Sequence, residues 1–369
     1  MRITCRALVL LISCLLGLVL VVCACSEDTG DSDASSDATD SAVSSTTLAS
    51  TTTTTLPPAT WEDITPDGDP PGASFGASFT PAPTIGGLLL FGGWAGGTSY
   101  ANTIFSYDPA TNTWSDLTPT GVAPAPRAAH TAAYDPATDR MIIFGGYDGT
   151  SYYNDTWAYD IATRTWTNLH PGGSVPAPRG GHSFIYDPAS KTMILFGGWN
   201  GRTEYNDTWA YDLAENTWTN LRPSGRAPAA RDSQAMAYDP ENKVIILFGG
   251  WSATKEYADT WAYDPAANTW VELSPAGESP TARAHQQMVY DPTVEKVLLF
   301  GGGRSTTVFN DTWNYDFASN SWAPVTLTGD APSARTGYAL AYDAADRKML
   351  LFGGSNGIDF YSDVWTLYR

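Results

Sequence analysis

Beyond residue 25 the sequence contains no cysteine: Cys5, Cys14, Cys23 and Cys25 are the only four in 369 residues. That absence removes disulfides, thiol nucleophiles and thiolate metal sites from everything downstream. Cations are also scarce. Lys and Arg number 20 against 39 Asp and Glu, giving a formal charge of −19, which argues against nucleic acid or an anionic lipid surface as a broad partner, because phosphate binding needs concentrated positive charge. Only four histidines occur, and His170 and His285 stand alone without metal-ligand spacing. No metal or cofactor is therefore expected. No long stretch has helical periodicity. What the chain does have is 34 Gly, 25 Pro and 14 Trp, the composition of an all-β protein with many short strands and tight turns.

The turns recur. Phe91, Phe144, Phe196, Phe248, Phe300 and Phe352 each precede a Gly-Gly pair, at intervals of 52 or 53 residues, and a period of this size marks a repeat architecture. The third unit shows the plan: a strand around His182–Tyr186, a turn at Asp187-Pro188-Ala189, and an apolar strand over Thr192–Phe196. After Gly197-Gly198 comes a loop, then a third strand with Trp209 and Tyr211 and a fourth with Trp218 and Leu221. We call these strands A to D. Apolar residues on both faces of strand B suit a strand packed between neighbouring sheets, and the glycine pair permits a bend that a Cβ would obstruct. Trp61 reads as a strand D that precedes every repeat, while the last unit stops at a strand C over Val364–Tyr368. The two ends are expected to pair and close a ring, leaving no free sheet edge.

The first 60 residues read differently. Arg2 and Arg6 precede an apolar run from Ala7 to Val22, the pattern of a secretory signal. Its end, Val-Cys-Ala-Cys, resembles the bacterial lipobox, which implies cleavage after residue 24, lipid on the Cys25 sulfur and an extracytoplasmic protein anchored at the cell membrane. Residues 25–60 are rich in Ser, Thr and Asp, cannot bury a core, and are expected to form a disordered tether. Its reach is about 33 Å for a flexible chain. Residues 61–369 then form the repeat domain.

Arg127 to His130 and Arg179 to His182 give Arg-x-x-His before strand A, and each repeat carries Gly-Gly after strand B and the Tyr-Asp and Trp of strands C and D. In these marks the chain resembles the Kelch family. The resemblance implies a six-bladed Kelch-type β-propeller, closed by its N- and C-terminal strands, with strand A lining the central channel. It implies less about activity, because Kelch propellers include adaptors, glycan binders and enzymes. Copper radical oxidases similar to galactose oxidase use a Cys crosslinked to Tyr, and the repeats here hold no Cys. The enzymatic alternative is a sugar epimerase or mutarotase, similar to sialic acid epimerase, with acid and base groups at the channel mouth.

Candidate site residues come from one face. The loops entering strand A and those joining B to C share it. Arg127, Arg179, Arg231, Arg283 and Arg335 open strand A in five repeats, with Ser74 in the first; Trp94, Tyr147, Trp199 and Trp251 directly follow Gly-Gly. In animal Kelch adaptors the similar Arg position contacts acidic peptides. Against this stands a scaffold role, in which the arginines hydrogen-bond loop carbonyls and the aromatics pack on the next blade. His130 and His182 read as repeat residues, and Asp155, Asp207, Asp259, Asp311 and Asp363 as caps of strand C. The resulting expectation is a monomeric binding module that takes a glycan or protein ligand through the Arg and aromatic face.

Overall fold

The computed structural model describes residues 58–67 and 70–369. The signal segment, Cys25 and nearly all of the tether lie outside the described residues. Five four-stranded antiparallel sheets and one closing sheet of five strands are arranged as a six-bladed β-propeller. In blade 3 the strands are Ser183–Asp187, Thr192–Phe196, Thr208–Asp212 and Thr217–Asn220, in the order A-B-C-D. Strand B is sandwiched as its composition predicts: Ile194, Leu195 and Phe196 are all buried. Gly197 and Gly198 then turn with φ of 73° and 99°. A Cβ on Gly197 would meet the Arg231 carbonyl at 2.7 Å, so both the turn and the approach of the next blade require glycine here.

The ring closes as expected. Ala59–Asp63 pairs antiparallel with Val364–Tyr368, with Trp61 opposite Leu367 and Asp63 opposite Trp365. A short strand, Leu327–Thr328, adds parallel to the outer side of Ala59–Asp63. Trp61 is 2% exposed and its ring lies 5.2 Å from that of Phe300 in blade 5. The other strand D tryptophans also reach backwards. Trp218 Nε1 donates to Thr156 Oγ1 of the preceding blade at 3.0 Å, and Trp270 and Trp322 do the same to Thr208 and Thr260. Four sheets, counting Trp61 on Thr312 Oγ1 at 3.3 Å, are therefore fastened to their neighbours through a buried aromatic with its polar atom satisfied, whereas Trp114 and Trp166 pack backwards on Phe352 and Phe91 without a partner for Nε1 among the described residues.

A second closure lies at one mouth of the channel. Gly76, Ala129, Gly181, Ser233, His285 and Gly337 occupy the same place in successive blades, and all have φ between 54° and 67°. Each N–H donates to the carbonyl of its counterpart in the preceding blade, at 2.6 to 3.0 Å, and Gly76 donates to Gly337 to complete the circle. Left-handed backbone costs about 1–2 kcal/mol at each non-glycine residue. The six inter-blade hydrogen bonds offset that cost.

Candidate ligand-binding site

The loop geometry matches the sequence reading in one respect. The residue after each recurring arginine position, Ser74 in blade 1, pairs with the residue after Gly-Gly: Phe75 with Trp94, Ala128 with Tyr147, Gly180 with Trp199 and Asp232 with Trp251. Both sets of loops therefore form one face around the channel mouth.

The arginines do not present themselves on that face. Arg127, Arg179 and Arg231 are 0% exposed, as is Arg335, and Arg283 is 1% exposed. Arg179 forks onto Asp207, at 2.6 and 2.9 Å, and donates to the Gly197 and Ala177 carbonyls at 2.9 and 3.0 Å. Its guanidinium lies 3.9 Å from the centroid of the Tyr205 ring. Arg127, Arg231, Arg283 and Arg335 repeat the arrangement on Asp155, Asp259, Asp311 and Asp363. The expectation that these five arginines bind a ligand is thus corrected: their donors are spent on the blade. The aspartates also prove to be counter-ions rather than caps. Asp207 accepts from Trp209 Nε1 at 2.7 Å as well as from Arg179. Burial pushes Asp259 up, but the hydrogen bonds and charge of Arg231, with the Trp261 N–H, hold it below the usual carboxylate range.

Blade 1 lacks this whole cluster. Ser74, Ala101, Thr103 and Phe105 stand where blade 2 has Arg127, Tyr153, Asp155 and Trp157. All four of the smaller side chains line a pocket of about 420 Å³ counting its open mouth. Sequence alone signalled the missing arginine. The concerted loss of its three partners became visible only once the ion pair was known.

A second pocket, about 800 Å³ counting its open mouth, sits on the channel axis and includes all six residues of the hydrogen-bonded circle. Trp94, Tyr100 and Tyr147 form an aromatic wall, and Phe75 stands between Trp94 and His285, with ring centroids at 6.3 and 5.6 Å. Tyr100 bridges blades, 6.3 Å from Trp94 and 6.1 Å from Tyr147. Of the predicted aromatics, Trp94 and Tyr147 line the pocket. Trp199 does not line it and instead packs 5.8 Å from Tyr152, and Trp251 belongs to a small hairpin with Lys255–Glu256. The sequence reading missed Phe75, Tyr100 and His285. Tyr100 carried a signal, since Tyr152 recurs 52 residues later.

The titratable groups at this mouth are shifted toward neutrality. Burial pushes His285 down to about 4, and burial with the Arg127 charge pushes His130 down to about 3. Asp232 is 2% exposed and accepts from Ser233 Oγ at 2.6 Å. Burial raises it to about 7, the Ser233 hydrogen bond opposing and the Glu204 charge adding a smaller push.

A family model described as the KLHDC2/KLHL20/DRC7 Kelch-repeats domain matches residues 38–238, 82–302 and 276–368, in overlapping registers. The chain belongs to the Kelch-repeat family. Kelch domains generally act as protein-interaction modules. The chain is 29% identical over 269 residues to Acyl-CoA-binding domain-containing protein 4 of Arabidopsis thaliana, covering 69% of this chain and 38% of that protein. It is 27% identical over 295 residues to the Leucine-zipper-like transcriptional regulator 1 homolog of Drosophila melanogaster, covering 73% and 29%. Kelch domain-containing protein 3 of Homo sapiens is 28% identical over 229 residues, 58% of each chain. The Kelch chain described here thus spans less than two thirds of the length of these relatives.

Proposed function

We propose that this Kelch propeller is a binding module whose ligand, a glycan or a protein segment, seats in the channel-mouth pocket. The observation that carries this reading is the aromatic wall of Trp94, Tyr100 and Tyr147 at the point where the loops of successive blades converge. Concave, mostly apolar sites with a few polar groups are the usual form of ligand pockets, and this one combines the aromatic wall with the side chains of Thr131 and Gln287. Glycan-array and peptide-library binding, each with the parent chain and with Trp94→Ala/Tyr147→Ala, tests it. The variant is expected to lose binding and keep cooperative unfolding; retained binding sinks the proposal.

We also propose that lipid on Cys25 holds the module on the extracytoplasmic face of the membrane. The lipobox-like Val-Cys-Ala-Cys and the Ser/Thr-rich stretch after it support this. Cys25→Ser is expected to abolish lipid labelling and release the protein from the membrane fraction. The sugar-active alternative draws on Asp232, whose raised pKa suits proton transfer. Arg231 beside it is committed to Asp259, which leaves Asp232 without a free cationic partner and favours the binding reading.

A further inference from the structure

We propose that the channel-mouth pocket recognises an uncharged saccharide ring, and that its arginines take no direct part. This rests on the binding reading above and names its ligand class. The decisive observation concerns charge. In a protein with 20 basic and 39 acidic residues, no Asp, Glu, Lys or Arg among the described residues lines this pocket. The nearest repeat cations are locked onto their aspartates. Asp232 is buried and engaged by the Ser233 hydroxyl. A charged group entering here would shed its hydration without meeting a counter-charge, an uncompensated loss. For an anion, the overall charge of −19 adds repulsion.

The wall supplies what a neutral sugar uses. Trp94 donates its N–H to the Gly97 carbonyl at 3.0 Å, which fixes the indole while leaving ring surface in the half-buried wall. Aromatic surface takes the apolar face of a pyranose, and scattered polar groups take its hydroxyls. Such a group is present: Gln287 lines the pocket with an exposed side chain, and its carboxamide can donate to and accept from sugar hydroxyls. A quaternary ammonium could use the aromatic rings through cation–π attraction. It would leave that amide unserved, and Tyr100 and Tyr147 meet at 89°, edge to face, rather than as parallel walls of a box.

The test is titration calorimetry with tryptophan fluorescence on the intact chain. The probes are neutral trisaccharides of glucose, xylose and N-acetylglucosamine, with trigalacturonate, an acidic hexapeptide and choline for comparison. At least one neutral trisaccharide is expected to bind with Kd on the order of 0.1 mM, changing less than about twofold between 50 and 500 mM NaCl. Trigalacturonate, peptide and choline should each bind at least about tenfold more weakly. Tyr147→Ala and Gln287→Glu should each weaken the neutral ligand about tenfold; the second, on an exposed side chain, guards against a folding defect in the first. Tighter binding of trigalacturonate, peptide or choline, or no binding of any neutral trisaccharide, overturns the saccharide assignment. Tighter binding of a charged probe that Tyr147→Ala weakens would leave the pocket as the site, whereas binding unaffected by both variants would overturn the site itself.

Discussion

Arg179→Ala separates architecture from recognition. In the parent, the Arg179 guanidinium makes two bonds to Asp207 and one to Gly197 O, with its Nε–H on Ala177 O, while its flat face lies on Tyr205. Truncation empties a fully buried site, strands two carbonyls and leaves Asp207 with the Trp209 N–H as its remaining side-chain donor. Breaking one side of a buried pair costs about 3–5 kcal/mol. The Asp207 side chain is 26% exposed and can recruit water, so the expected loss is about 4 kcal/mol rather than the top of that range. Urea denaturation followed by tryptophan fluorescence reads it, and 1 M NaCl should change it little because the pair is largely shielded from solvent. Asp207→Ala in the same background should cost less than the two single losses added, with a coupling of about 2 kcal/mol. An Arg179→Ala protein within about 1 kcal/mol of the parent that had nevertheless lost its ligand would refute the scaffold assignment and return the arginine to the binding face.

Deleting Ala59–Asp63 removes Trp61 and leaves one edge of Val364–Tyr368 unpaired, so aggregation or a steep loss of stability is expected in light scattering and thermal unfolding, because an open edge invites strand addition. An unchanged melting temperature would exclude this strand as the closure. Asp232 gives stability an unusual pH dependence. Its folded value of about 7 lies above the ordinary 3.8, so between those values the folded chain holds a proton that the unfolded chain has released. This contribution to stability is lost as pH rises through that window and recovered as pH falls. Asp232→Asn should therefore flatten the slope between pH 4 and 7 and stabilise the protein at pH 8 relative to the parent, by on the order of 2–4 kcal/mol. Equal pH slopes in the two proteins would show that Asp232 is ionised in the fold throughout.

The repeat period, the apolar strand B and the Gly-Gly bend were legible in the sequence because each is dictated locally: side-chain alternation, turn chemistry and a missing Cβ act within a few residues of themselves. Ring closure was legible too, since a leading strand D and a trailing strand C count to a whole only together. The site was half legible. Trp94 and Tyr147 could be placed on the correct face from strand direction alone, yet nothing in their spacing distinguishes them from Trp199 and Trp251, which the ring geometry carries away from the pocket. The arginines mark the limit of sequence reading most clearly. Arg179 and Asp207 are 28 residues apart, and whether an arginine at a channel mouth faces solvent or its own blade depends on whether a carboxylate and an aromatic ring reach it first. That competition is settled by tertiary packing. The uncharged wall of the pocket is also a product of assembly: it draws between one and five residues from each of the six repeats, and its neutrality exists only where the closed ring brings them together while five blades hold their Arg–Asp pairs within themselves.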